Sequence, residues 1–145
     1  MIRFSNTVDI ARPPAGVFAY LADFERVPDW NWAITATRKV TPGEMTLGTR
    51  YHQTRAVPWP GVEEFEITGF EQDKRIELLG SVSVFRARLT YELSPVANGT
   101  RLTNTVELEP AKASAILSGL VTKRIQASVA ENLEMLRSRL EAQNG

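Results

Sequence analysis

The chain opens on alternation. Ile2, Phe4, Val8 and Ile10 fall on one side, and Arg3, Ser5, Thr7 and Asp9 on the other. A period of two with one apolar row predicts a half-buried strand. Asn6 interrupts the apolar row. Two prolines, Pro13 and Pro14, then stop the strand and suit the first turn of a helix, where amide protons have no partner. Val17, Phe18, Tyr20 and Leu21 follow at helical spacing, and a second short helical piece is predicted over Phe24 to Asp29. From Ala33 the period returns to two. Strands are predicted near 33–41, 49–57, 61–70, 73–80, 83–94 and 99–109. The turn signals TPGEMTLG, VPWPG, EQDK, Gly80-Ser81 and PVANG separate them. After Glu109-Pro110 the period lengthens. Leu117, Leu120, Val121, Ile125, Val129, Leu133, Leu136 and Leu140 form one stripe, which predicts a helix over about 112–141, roughly 45 Å long.

Two short helices thus separate strand 1 from strand 2, and a long helix closes the chain. This is an α+β plan: a seven-stranded antiparallel sheet with one wet face and one covered face. The clearest strand shows both rows. Phe85, Ala87, Leu89, Tyr91 and Leu93 share one face, and Arg86, Arg88, Thr90 and Glu92 the other. At 145 residues the length fits one domain, 1–145.

Bulk properties narrow the function. Seventeen basic residues balance seventeen acidic ones, so no net field recruits nucleic acid or an anionic membrane. Cysteine is absent, which removes disulfides and thiolate chemistry and fits a cytoplasmic setting. No run is long enough for a membrane span, and the N-terminal segment does not read as a signal peptide. One histidine and no cysteine give no His-rich or thiolate metal site, and no cofactor fingerprint occurs. Glu63 and Glu64 are adjacent, hence on opposite strand faces, and form no paired carboxylate. His52 is the one side chain with an ordinary pKa suited to general base work near neutrality.

Parity then places the aromatics. In an antiparallel meander, successive loops alternate between the two ends of the sheet. Trp30 and Trp32 precede strand 2. Trp59, in the VPWPG loop, returns to the same end, as do Gly80-Ser81 and the link into the long helix. All three tryptophans of the chain therefore gather at one end. Facing inward, they line a pocket mouth or plug the core; facing outward, they meet a partner. The row Leu102, Val106, Leu108 also contains Asn104, and a buried amide needs a hydrogen-bond partner, from the protein or from a ligand.

The residue patterns resemble a known superfamily. Val8, Ile10, Pro13, Val17, Phe18, Leu21, Asp23, Glu25, Pro28 and Trp30 match its opening. Gly43, Gly48–Tyr51, Tyr91, Leu93, Pro95 and Gly99–Thr103 match later turns and strands. The chain resembles the START-like superfamily, also called SRPBCC, which includes birch-pollen-allergen-like and polyketide cyclase/dehydrase-like proteins. The resemblance implies a helix-grip fold: a curved sheet wrapped around the C-terminal helix, with an apolar cavity between them. On that reading Trp30, Trp32, Trp59, Phe65, Phe85, Tyr91, Asn104, Leu117, Leu120 and Val121 are the ligand-binding candidates. Binding or carriage of a small hydrophobic ligand is the leading expectation, without metal or cofactor. A cyclase- or dehydratase-like enzyme using His52, Tyr91 or Asn104 is the second. An interaction module using the aromatic rim is the third.

Overall fold

A computed structural model of the chain describes residues 1–58, 60–110 and 119–143. Among them, seven strands form one antiparallel sheet: β1 (Ile2–Ile10), β2 (Ile34–Lys39), β3 (Arg50–Arg55), β4 (Gly61–Glu71), β5 (Arg75–Val82), β6 (Phe85–Val96) and β7 (Gly99–Pro110). Their spatial order is β1-β7-β6-β5-β4-β3-β2. The first strand thus pairs with the last, and β2 forms the opposite edge. Helix α1 (Pro14–Ala22) and a 3-10 helix (Phe24–Asp29) carry the chain from one edge to the other. Helix α2 (Gly119–Glu141) lies mainly against β1. The expected helix start at 112–118 lies outside the described residues.

The predicted periodicities correspond to real faces. Inward rows include Phe4, Val8 and Ile10 of β1, Phe65 and Ile67 of β4, and Leu102, Val106 and Leu108 of β7. They form two groups. One joins α1 and the 3-10 helix to the sheet and to Leu133, Leu136 and Leu140 of α2. The other gathers Phe4, Phe85, Ala87, Val106 and Leu108 under Ile125 and Val129. Asn6, which broke the apolar row, ties the strand to the helix. Its Nδ2 donates to the Gln126 carbonyl at 3.2 Å, and Gln126 Nε2 returns a bond to the Ser5 carbonyl at 3.3 Å. The C-terminal end of α2 is clamped by the β1–α1 connection. Arg12 Nε donates to the Leu140 carbonyl at 2.9 Å, and the Ala11 amide to Glu141 Oε2 at 2.9 Å. Arg12 thus occupies a carbonyl that a helix end leaves without an intrahelical partner, and the Ala11 amide holds a side chain of the last turn.

One hairpin differs from its sequence reading. Gly80-Ser81, expected as the turn, lies inside β5, and Ser83 with φ +56° belongs to the turn instead. Gly80 sits opposite Phe65, where a Cβ would lie 2.2 Å from the Glu64 carbonyl oxygen. The glycine serves close approach of two strands, not reversal of the chain.

Candidate functional site

The site lies at the end of the sheet where β2 begins. The register confirms the parity argument: Ile34 is opposite Arg55, Arg55 opposite Gly61, and Phe85 opposite both Val82 and Pro110. There the 3-10 helix stops as the Trp30 and Asn31 amides both reach back to the Val27 carbonyl, at 3.1 and 2.8 Å. Asn31 Oδ1 then accepts the Ala33 amide at 3.1 Å, an Asx-type turn that starts β2. This tight turn sends the two tryptophans opposite ways. Trp30 is 5% exposed and Trp32 is 64% exposed.

Trp30 lines a partly open cavity of about 80 Å³ between the 3-10 helix and strands β3 to β6. Its apolar wall is built from Phe24, Val27, Phe65, Leu78 and Leu89, with Tyr91 beside them. Phe24, Tyr51 and Phe65 lock together at this wall. Tyr51 and Phe65 stack with centroids 4.9 Å apart, and Phe24 meets both edgewise at 5.4 and 5.6 Å. Burial pushes the Tyr91 phenol well above its ordinary pKa. The Tyr51 phenol is pushed up to about 12, first by burial and then by Glu25 and Asp23. Both rings therefore remain protonated at any physiological pH.

The remaining wall is polar, and here the sequence reading missed the central residues. Glu63 is 4% exposed. Its carboxylate accepts Gln53 Nε2 at 2.9 Å, Arg55 Nε at 2.7 Å and the Ser83 amide at 2.6 Å. Gln53 and Arg55 line the cavity together with Asn31 and Ser81. A signal was present. Glu63 shares strand parity with Phe65 and Ile67, so it is an acid on an apolar row, as Asn104 is an amide on one. The β3 row Tyr51, Gln53, Arg55 supplies its donors across the strand pair.

The sequence-derived candidates separate accordingly. Trp30, Phe65 and Tyr91 converge on the cavity. Phe85 is buried in the neighbouring group. Asn104 is 1% exposed, and its Nδ2 donates to the Thr90 carbonyl at 3.2 Å, a bond within the sheet. Leu120 and Val121, expected on the cavity wall, are 62% and 38% exposed. No described residue of α2 lines the cavity, which is walled by the 3-10 helix where the sequence suggested the long helix. Trp59 and Leu117 lie outside the described residues. His52 is on the outer face of β3, its Nε2 2.6 Å from Glu64 Oε1, and so lies across the sheet from the cavity. That removes it as a base acting inside. It borders a larger open groove of about 620 Å³ with Arg50, Glu64, Glu66 and Arg86. Volume favours that groove, but the inner cavity has the apolar walls and the buried polar groups that small-molecule sites use. Among the described residues no cluster of three metal-ligating side chains occurs, and no helix is long and apolar enough to cross a membrane.

The curved sheet, the paired short helices and the C-terminal helix define the START-like helix-grip class. Solved structures agree. A START superfamily protein from Mycobacterium smegmatis superposes with a TM-score of 0.81 at 17% identity, covering 96% of this chain and 97% of that one. Ara h 8.0201 gives 0.77 at 15% identity, covering 98% and 99%. The di-domain ARO/CYC StfQ from the steffimycin biosynthetic pathway gives 0.77 at 10% identity, covering 97% of this chain and 50% of that one. At the level of sequence, residues 1–141 match the model of the family described as polyketide cyclase / dehydrase and lipid transport, and the chain belongs to that family. Among curated proteins, none matches.

Proposed function

We propose that the protein binds a small, largely apolar ligand in the cavity between the 3-10 helix and the sheet. The observation that carries this reading is an aromatic-walled cavity with a polar group cluster at one end, Gln53 and Arg55 beside Glu63. Few, fixed polar groups within apolar walls are what orient a bound molecule. The size of the space bears on the guest. An apolar cavity of about 150 Å³ takes benzene whole, so about 80 Å³ takes part of one ring, and a larger guest extends through the open side. Native mass spectrometry of the protein purified from its own cells tests the reading. A retained small molecule, lost on Trp30→Ala, is the expected result. A bare protein that also takes up no small aromatic probe in solution would overturn it.

A cyclase- or dehydratase-like enzyme is the second reading, favoured by the family and by Tyr91 and Arg55 as donors to a substrate carbonyl. It needs a base as well. Glu63 is already held by three donors, and His52 faces outward. Binding is therefore the better supported function.

A further inference from the structure

The polar end of the cavity specifies more than polarity, because Arg55, Trp30 and Asn31 bring hydrogen-bond donors to it. Arg55 has a side chain only 12% exposed, and it meets Glu63 through Nε. This side-on contact leaves its two terminal nitrogens without a protein partner among the described residues. Glu63 does not depend on the arginine alone, since Gln53 and the Ser83 amide also donate to it. The hydrogen-bonding capacity of the guanidinium is thus only partly used. Trp30 lines the same cavity, and its buried indole Nε1 has no partner. Asn31 uses its Oδ1 on the Ala33 amide, so its Nδ2 is the group left to donate.

A buried donor without an acceptor is costly, and a buried cation without full pairing more so. Trp30 Nε1 is such a buried donor, and with Arg55 and Asn31 lining the same cavity it calls for a guest that brings acceptors and negative charge. Planar carboxylates match a guanidinium edge by two parallel hydrogen bonds. Building on the proposed binding function, we infer that the ligand is a compact amphipathic anion: one ring or a short chain bearing a carboxylate. The apolar body lies against Phe65, Leu78 and Leu89. The carboxylate takes the terminal nitrogens of Arg55, with Trp30 and Asn31 as further donors. Glu63 is a positioning residue that fixes the guanidinium.

Benzoate and benzyl alcohol form a matched pair of probes, alike in ring and length and different in charge. Titrating each into the isotope-labelled protein by NMR reads both affinity and the Trp30 indole N–H. Benzoate is expected to bind about 10-fold or more tightly than benzyl alcohol, as a charge-assisted fork requires, and to move the Trp30 indole resonance downfield. The paired variant Arg55→Gln with Glu63→Gln keeps shape and removes both charges. It should lose the preference for benzoate, read as the ratio of the two affinities. Trp30→Phe should weaken benzoate more than benzyl alcohol. Should the paired variant not fold, Arg55→Lys keeps the charge without the fork and should lower the preference. Equal binding of the two probes to the unaltered protein overturns the anion assignment and leaves the binding function standing. Failure of both probes to bind overturns the anion assignment, and together with a bare protein in native mass spectrometry it overturns the binding function too. A preference that survives in the variants places the anion elsewhere and also overturns the assignment.

Discussion

Glu63 shows how much one side chain can decide. It holds Gln53 of β3, Arg55 of β3 and the Ser83 amide of the β5–β6 turn, so three segments meet on one carboxylate. Glu63→Ala should cost about 3–5 kcal/mol, because it leaves a buried guanidinium unpaired. Urea denaturation measures this, and a loss under about 1 kcal/mol would mean that water replaces the carboxylate. The tyrosines make a second residue-scale prediction. The Tyr51 phenol rises from 10.0 to about 12 on folding, so the folded state holds its proton longer than the unfolded chain does. That contribution is full below pH 10.0 and is lost as pH rises from there towards about 12. Thermal melts should therefore show a steep alkaline fall in Tm, made shallower by Tyr51→Phe. An unchanged slope in that variant would exclude Tyr51 as a cause. None of this was legible from the one-dimensional pattern of β3. Tyr51, Gln53 and Arg55 form a row with one apolar member, and its inward direction becomes visible only when Glu63 is set opposite Gln53.

At the scale of elements, periodicity carried most of the information. Strands with a clear two-residue alternation, such as β6 and β7, lie where it put them within about two residues. The long stripe marks α2, of which 119–141 are described. The displaced hairpin shows the limit. A glycine reads as a turn signal in one dimension, yet Gly80 is needed because Phe65 of the next strand comes so near. Gly80→Ala should accordingly destabilise the protein by about 1–3 kcal/mol, the usual cost of overpacking. It should also disturb amide signals of Glu64 and Phe65 in preference to those of the turn at Ser83. Signals altered only at Ser83 would restore the turn interpretation. The direction of Trp30 and Trp32 was equally hidden, because a 3-10 helix ending in an Asx-type turn has no period from which to read a side.

For the whole molecule, strand parity assigned the loops to the two ends of the sheet without any knowledge of side-chain contacts, and the register of the described strands reproduces that assignment. What parity could not give was the depth of the cavity or which helix walls it, since those depend on how far the sheet curls. The strand order has a consequence in time as well. β1 pairs with β7 from Ile2↔Leu108 to Ile10↔Thr100, so the first strand made is finished by almost the last. Such distant pairing slows folding, because the chain must close a long loop before the contacts reward it. On a ribosome adding roughly 5–20 residues per second, β1 waits about 5–20 s for its neighbour. Throughout that interval Phe4, Val8 and Ile10 form an uncovered apolar edge on a nascent chain. The protein is thus most vulnerable to misassociation during its own synthesis, and a chaperone that holds the first ten residues would act at the point of greatest need.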